Sequence, residues 1–146
     1  MKKVAIVTGT SSGLGEAVAL QLAAQGFNTY ATMRNPSKAS AVLGSAAESH
    51  ALSILPLDVQ NTESVNQAID CIMQTEGRID LLINNAGAGF VRTTEQATEA
   101  EIDWVMDVNY NGVVRCTKAV LPHMRSQRSG HIINITSLIS LENFLL

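Results

Sequence analysis

The stretch that most constrains the fold lies near the start of the chain, where a short apolar run meets a glycine-rich turn. Residues 4–7 are all apolar and predict a buried parallel strand. The glycines of the turn are Gly9, Gly13 and Gly15, and an amphipathic helix is predicted after them. The apolar face of that helix is expected to carry Leu14, Ala17, Val18, Leu22 and Ala23. Glycine admits a close approach and a helix N-terminus offers free N–H groups, so this order favours a phosphate-binding turn. An ordinary Ser/Gly turn is the alternative.

The rest of the chain alternates between strand and helix patterns. Further strands are predicted at 27–32, 51–57, 79–84 and 131–136. Helices are predicted weakly at 37–48, then from Asn61 or Thr62 to Gly77, and at 98–125, where Pro122 should kink or end the helix. This alternation, with no long linker and no internal repeat, predicts βαβ units in one doubly wound α/β domain with a parallel sheet.

Composition and charge exclude several classes of function. With 146 residues, 46% of them hydrophobic, the chain can bury a core as a single domain. A net charge of −3 gives no reason to expect a nucleic-acid or membrane partner, and no stretch approaches the roughly 20 apolar residues of a membrane span. Cys71 and Cys116 form no cluster with histidine, so we expect no metal site, no disulfide and a cytoplasmic location.

Polar residues follow several of the predicted strands, at the edge where open α/β sheets bind ligands. Asp58 follows the third strand, residues 85–87 (NAG) follow the fourth, and Ser137 follows the fifth. Asp58 could equally be a helix-entry turn residue and Ser137 a turn residue. Asn109 lies in the predicted long helix, on the same apolar face as Ile102. Its side-chain amide could therefore be buried in the core with its hydrogen bonds satisfied. The nearby Gly112 makes a local irregularity of that helix plausible.

Five pieces of the sequence together resemble the short-chain dehydrogenases/reductases. They are residues 8–15 (TGTSSGLG), 58–59 (DV), 84–87 (NNAG), Asn109 and 134–137 (NITS), each placed where the strand and helix pattern requires it. The resemblance implies a three-layered Rossmann-type sheet, with about five of the family's usual seven strands in this chain. It also implies hydride transfer between NAD(P) and a small-molecule alcohol or carbonyl substrate.

The resemblance also assigns roles to individual residues. The cofactor-binding set that it implies is Gly9, Thr10, Ser11, Ser12, Gly13, Leu14, Gly15, Arg34, Asp58, Val59, Asn85, Ala86 and Gly87. The Asp58 carboxylate would accept a hydrogen bond from adenine, and Asn84 would brace the sheet. Ser137 would bond the reacting oxygen, and Asn109 would belong to a helix irregularity whose carbonyl holds a water of the proton relay.

Residues at the end of the second strand favour NADP over NAD. Met33 occupies the position of the acid seen in NAD-using relatives, and Arg34 follows it. Arginine is a planar, always charged donor that suits a 2′-phosphate, and Ser12 could donate to the same group. The alternative is that Arg34 is a solvated loop charge.

The catalytic Tyr-x-x-x-Lys motif of the family does not occur in these residues. Tyr30 lies in a predicted strand, and Tyr110 has no lysine four residues later. We therefore expect a C-terminally incomplete Rossmann domain that is inactive alone, with an exposed fifth strand that favours a homo-oligomer. A non-catalytic dinucleotide-binding or regulatory module is the alternative function. The substrate is not readable from this stretch, although 32–36 (TMRNP) looks somewhat like retinol- or hydroxysteroid-type members.

Overall fold

Five parallel strands form one sheet in a computed structural model that describes residues 2–48, 52–91, 93 and 95–137. In chain order they are β1 (Val4–Thr8), β2 (Asn28–Met33), β3 (Leu52–Pro56), β4 (Leu81–Asn84) and β5 (His131–Asn134). Their order across the sheet is β3-β2-β1-β4-β5, so the direction of winding reverses between β1 and β4. This is the strand order of a Rossmann-type doubly wound sheet, and the predicted fold class is confirmed.

Helices cover both faces of the sheet and make three layers. They are α1 (Gly13–Ala24), α2 (Ala41–Glu48), α3 (Thr62–Glu76), α4 (Glu99–Met106) and α5 (Gly112–Gln127). A 3-10 turn (Pro36–Lys38) precedes α2, and a π-helical stretch, here called the π segment (Asp107–Asn111), joins α4 to α5. None of the described helices is long and apolar enough to cross a membrane.

Two apolar cores flank the central strands. On one face Val4 and Ile6 of β1 pack with Ile72 of α3 and Val120 of α5. On the other face Val7 packs among residues of α1, β2 and α2, which include Ala19, Ala31 and Leu43. All five residues of β1 are buried, as expected for a strand covered by helices on both faces.

Several predicted helix boundaries are confirmed by their local chemistry. The Asn61 side chain caps α3 by accepting hydrogen bonds from the N–H groups of Glu63 and Ser64, and Gly77 ends the helix with φ of 69°. Thr98 and Glu101 form a reciprocal capping box at the start of α4.

The predicted inner face of α1 was partly wrong. Leu14 is 56% exposed and Ala17 is also exposed, whereas Gly15 and Ala19 are buried. The helix approaches the sheet through its smallest residues, because Gly15 lies directly against the backbone of the preceding turn. That close contact rotates Leu14 toward solvent.

The long helix predicted at 98–125 is interrupted and runs further than expected. Its inward residues Cys116 and Val120 are buried as predicted, but Ile102 is 44% exposed, since α4 lies before the π segment. Pro122 does not end the helix, which continues to Gln127. Lys118, whose carbonyl loses its partner at Pro122, is exposed, so water can satisfy that carbonyl.

Candidate cofactor and active site

A cleft of about 350 Å³ opens at the carboxyl ends of β1, β2 and β4, where the strand order reverses. This is the edge at which doubly wound sheets bind dinucleotides. The cleft is lined by Gly9, Ser11, Ser12, Leu14, Gly15, Met33, Arg34, Leu57, Asp58, Val59, Gln60, Asn85, Ala86, Gly87, Ala88, Trp104 and Val108. Apart from Thr10 and Gly13, all of the cofactor-binding residues suggested by sequence resemblance belong to this set.

The turn between β1 and α1 presents its polar groups to the cleft. Gly9 and Gly13 have positive φ angles of 70° and 66°, which few other residues adopt. Ser12 is the N-cap of α1, has extended backbone and makes no side-chain capping bond. The first-turn N–H groups of α1 therefore have no side-chain partner from Ser12 and can donate to an anionic group.

A set of hydrogen bonds fixes this turn to the loop that follows β4. Thr8 Oγ1 accepts from the N–H groups of Asn85 and Ala86, each at 3.0 Å. The Asn85 side-chain amide donates to the carbonyls of Thr8 (3.0 Å) and Gly9 (3.1 Å). A Cβ on Gly9 would lie 2.6 Å from Ala86 Cα, and a Cβ on Gly15 would overlap the Asn85 amide. The side chain of Asn85 thus links the loop after β4 to the glycine turn, and these two segments border the cleft.

Thr10 lies beneath the cleft. It is fully buried, and both its N–H and its hydroxyl donate to the Thr32 carbonyl, at 3.1 and 3.2 Å. These bonds join the glycine turn to β2. Its observed contacts are structural, and the hydroxyls of this turn that reach the cleft are those of Ser11 and Ser12.

Asp58 makes the contacts of a turn residue and also lines the cleft. Its Oδ1 accepts from the N–H of Gln60 at 3.0 Å, and its own N–H donates to Ser64 Oγ at 3.0 Å. The residue therefore shapes the turn into α3, as a turn aspartate does. It also lines the cleft, where its carboxylate can accept a hydrogen bond from a ligand amino group.

Arg34 lies at the end of β2 with its side chain exposed. No hydrogen bond or ion pair to another described residue holds its guanidinium. A second pocket of about 410 Å³ adjoins the cleft here and is lined by Ser11, Met33, Arg34, Asn35 and Lys38. Two cationic side chains and a hydroxyl therefore border one space beside the glycine turn.

Asn109 pairs with the loop after β4. Its Oδ1 accepts from the Ala88 N–H and its Nδ2 donates to the Ala88 carbonyl, both at 2.8 Å. The residue is exposed, so the core-amide interpretation was wrong, and the expected helix irregularity is present as the π segment. The extra residue of a π turn carries Asn109 away from the apolar stripe.

The β4–β5 side of the edge carries the remaining polar groups. The Asn84 amide is buried and donates to Asn134 Oδ1 at 2.8 Å and to Thr117 Oγ1 at 3.4 Å, so it braces β4 against β5 and α5. Ser137 follows β5 and is exposed. Neither Ser137 nor Asn109 lines the 350 Å³ cleft.

Five lining residues were not anticipated as such from the sequence. They are Leu57, Gln60, Ala88, Trp104 and Val108, which complete the wall of the cleft. Trp104 is 39% exposed and lines the cleft together with residues of the glycine turn. The i, i+4 spacing of Trp104 and Val108 just before Asn109 was the available signal for a shared face.

Two groups with raised pKa values, Tyr30 and Cys116, do not line this cleft. The Tyr30 hydroxyl donates to Glu76 Oε1 at 2.9 Å, and burial together with that carboxylate raises the pKa of Tyr30. Burial raises the pKa of the Cys116 thiol to about 12. In the described part of the chain, no cluster of three or more His, Cys, Asp or Glu side chains could hold a metal ion.

Comparison with known proteins agrees with this geometry. A sequence model of the short chain dehydrogenase family matches residues 3–145, and the chain belongs to that family. It is 43% identical over 136 residues to a 3-ketodihydrosphingosine reductase of Bacteroides thetaiotaomicron, covering 93% of this chain and 47% of the relative. It is 38% identical over 148 residues to human retinol dehydrogenase 8, covering 98% of this chain and 47% of the relative.

Solved structures show the same fold. A short-chain dehydrogenase from Streptomyces avermitilis superposes with a TM-score of 0.90 at 32% identity, over 99% of this chain and 52% of that one. The chain spans about half the length of the curated relatives that it matches. The family consists of oxidoreductases that use an NAD(P) dinucleotide and small-molecule substrates.

Proposed function

We propose that the chain forms the cofactor-binding part of an NADP-dependent oxidoreductase that transfers hydride between NADP(H) and an alcohol or carbonyl substrate. The observation that carries the proposal is the cleft at the strand-order reversal, bordered by a glycine turn and by the guanidinium of Arg34, which pairs with no other described residue. The nicotinamide would supply or accept the hydride. The protein residues would bind and orient the dinucleotide.

Each part of the dinucleotide has matching groups in the cleft. The pyrophosphate would meet the first-turn N–H groups of α1 and the hydroxyls of Ser11 and Ser12. The adenine amino group would donate to Asp58, and the adenosine ribose would lie against residues 85–87. The 2′-phosphate would pair with Arg34, because a guanidinium binds phosphate through two parallel hydrogen bonds.

Asn109 and Ser137 are proposed for the reacting end. Ser137 would hydrogen-bond the reacting oxygen and stabilise the charge that develops there. Asn109 would keep the π segment aligned with the loop after β4, through its pair of bonds to Ala88. These 146 residues contain no Tyr-x-x-x-Lys, so the isolated chain is expected to bind the cofactor without turnover.

The names of the relatives suggest a substrate class. Retinol is an alcohol and 3-ketodihydrosphingosine a ketone, and both are long apolar molecules. We propose a substrate of that kind for the whole protein. Free thiols at Cys71 and Cys116 support a cytoplasmic site of action.

A second copy of the chain is the proposed partner. The outer side of α4, the π segment and α5 exposes a series of large apolar side chains, namely Ile102, Met106, Tyr110, Val114 and Leu121. A row of this kind favours association. Sedimentation velocity would show a dimer, and a monomer at all concentrations would contradict it.

Binding can be followed through the single tryptophan, since Trp104 lines the cleft. NADPH should quench its emission, and NADP+ and NAD+ should compete. Arg34→Met is expected to weaken NADP+ binding about 10- to 100-fold, as loss of a charge-assisted hydrogen bond does, and to change NAD+ binding less than about threefold.

Arg125→Met is the matched control. It removes an exposed arginine from the end of α5, among residues that do not line the cleft, and should leave both affinities unchanged. Tighter binding of NAD+ than NADP+ by the unaltered chain would overturn the NADP assignment. Steady oxidation of NADPH with a ketone would overturn the proposed inactivity. Intact NADP+ binding without NADPH oxidation is the result expected for the isolated chain.

A further inference from the structure

Asp107, the first residue of the π segment, is the centre of a polar network that reaches the cofactor cleft. Its Oδ1 forms an ion pair with Arg115 Nη2 at 2.6 Å. The same oxygen accepts from Asn111 Nδ2 at 3.3 Å, and Oδ2 accepts from Gln60 Nε2 at 3.1 Å. Both carboxylate oxygens are therefore engaged, and one of the bonds is to a residue that lines the cleft.

Arg115 extends the network to the backbone of the same cleft wall. Its Nη1 donates to the Val59 carbonyl at 3.2 Å and to the Asp107 carbonyl at 3.3 Å. One guanidinium thus bonds both the turn after β3 and the π segment. These two regions are about fifty residues apart in the chain.

The π segment makes this pairing possible. In a regular α-helix, residues eight apart are rotated by about 80° from one another around the axis. A π turn holds one extra residue, so Arg115 lies close to the position that a residue seven places after Asp107 would occupy. The irregularity that carries Asn109 therefore also places Arg115 beside Asp107.

Apolar packing also holds the turn after β3 against the start of α5. Val59 is 7% exposed, and a Cβ on Gly112 would lie 2.9 Å from both Val59 Cβ and Val59 Cγ2. The start of α5 therefore touches the turn at Val59 with no space between them. Hydrogen bonds within the turn, such as Gln60 N–H to Asp58, determine its shape, and the contacts with α5 and Asp107 determine its position.

The charge state of the network is stable. The Arg115 guanidinium, followed by the Gln60 amide, holds the pKa of Asp107 below its ordinary value. The carboxylate therefore remains charged near neutral pH.

We propose that Asp107 and Arg115 are positioning residues for the adenine end of the cofactor site, and that they tie this end to the π segment carrying Asn109. The inference rests on the proposed binding of a dinucleotide. Asp58 is next to Val59, so displacement of the Val59 carbonyl or of Gln60 would move the carboxylate that faces adenine. Variants at Asp107 or Arg115 should then bind NADP+ more weakly and should also discriminate less between adenine and a base without its amino group.

The test compares NADP+ with its hypoxanthine analogue, which lacks the amino group that would donate to Asp58. Binding of each is measured by competition with NADPH for quenching of Trp104. Asp107→Asn is expected to weaken NADP+ binding about tenfold, the loss expected for a charged hydrogen bond, while the analogue changes less than about twofold. Arg115→Lys keeps the positive charge but cannot donate from two separate nitrogens, so it should behave in the same way.

Arg78→Gln is the control, because it removes another arginine–aspartate pair of 2.6 Å, with Asp80 at the start of β4. Both affinities should remain unchanged in it. Unfolding measurements identify any variant that fails to fold, and the milder Arg115→Lys then decides. If folded Asp107→Asn or Arg115→Lys keeps an unchanged preference for adenine, this inference is overturned and the proposed function is unaffected. If the unaltered chain binds neither dinucleotide, the proposed function fails as well.

Discussion

The two halves of the sheet's carboxyl edge are built differently. At the cleft, β1 is wholly buried, and side chains of Thr8 and Asn85 bond the backbone of neighbouring segments. At the β4–β5 side, three of the four β5 residues are exposed, and Ile133 is 46% exposed. The main side-chain links there are the amide pairs of Asn84 with Asn134 and of Asn109 with Ala88.

Under the proposed function, this difference places the cofactor-binding residues and the reaction residues on differently built halves of the edge. The residues proposed to bind the dinucleotide lie on segments bonded to one another through three strands. The residues proposed for the reaction, Asn109 and Ser137, lie outside the cleft, on the β4–β5 side. We therefore expect changes at the cleft to affect folding and binding together, and changes at the β4–β5 side to affect neither as strongly.

The largest effect is expected from Gly15→Ala. A Cβ at this position overlaps the Asn85 amide and the Gly9 carbonyl, both parts of the rigid cleft. The substitution should lower the free energy of unfolding by about 3 kcal/mol and abolish measurable NADP+ binding, because backbone must move to relieve the overlap. Urea denaturation and Trp104 quenching measure the two effects.

Gly44→Ala is the matched control for that experiment. Gly44 is also a helical glycine, but a Cβ there meets no atom within 4 Å. Alanine should therefore raise the free energy of unfolding by about 0.5–1 kcal/mol through helix propensity. Equal effects of the two substitutions would show that the cleft is not the tightly packed region.

Asn109→Ala tests the β4–β5 side. It removes two hydrogen bonds of 2.8 Å from an exposed residue. The free energy of unfolding should fall by about 1–2 kcal/mol, since each net hydrogen bond contributes about 0.5–1.5 kcal/mol. NADP+ affinity, measured by Trp104 quenching, should change less than about threefold. A loss of binding as large as that of Gly15→Ala would contradict the separation of the two halves.

A smaller effect is expected from pH, through the core beneath α5. The folded-state pKa of Cys116 is raised by burial to about 12 from an ordinary 9.0, so the folded chain keeps a thiol proton that the unfolded chain loses. Stability is therefore unaffected near pH 7 and falls as pH rises above 9. The loss should reach about 1 kcal/mol at pH 10.

The variant Cys116→Ala should lose this alkaline slope, and the exposed Cys71→Ala should keep it. Measurement stops at pH 10, because Tyr30 also has a raised pKa and adds a smaller loss of its own as pH approaches 10, equally in all three chains. A slope that persists undiminished in Cys116→Ala would mean that another group causes it. Absence of the slope in the unaltered chain would mean that water reaches Cys116, and that the core beneath α5 is more open than the structure indicates.

Much of the fold was predictable because its signals are local. Buried parallel strands are continuous apolar runs, and caps such as Asn61 and Gly77 mark helix ends independently of their surroundings. The orientation of α1 was not predictable in the same way, because it depends on Gly15 meeting the Asn85 amide seventy residues away. A helix irregularity near Asn109 was expected, but its π form and its bounds were not predictable, since one extra residue in a turn is not visible in apolar periodicity.

The candidate site was predictable to the extent that parallel strands bring their ends to one edge. Asp58, Asn85 and Arg34 are strand-end residues, and the structure brings all three to one cleft. Trp104 and Gln60 were missed because their positions follow from where α4 and the turn after β3 lie in space. The Asp107–Arg115 pair was missed because regular helical spacing would not join residues eight apart.

The π segment has a consequence for which changes in length the chain can tolerate. Surface segments usually accept insertions and deletions, and four of the five residues at 107–111 are not buried. The π turn already holds one extra residue, so inserting a second one would turn everything after it by about 100°. Cys116, Val120 and Met124 would then leave the core, although none of them had been altered. Among homologues, we expect substitutions at the exposed residues of this stretch other than Asn109 to be common and insertions in it to be rare.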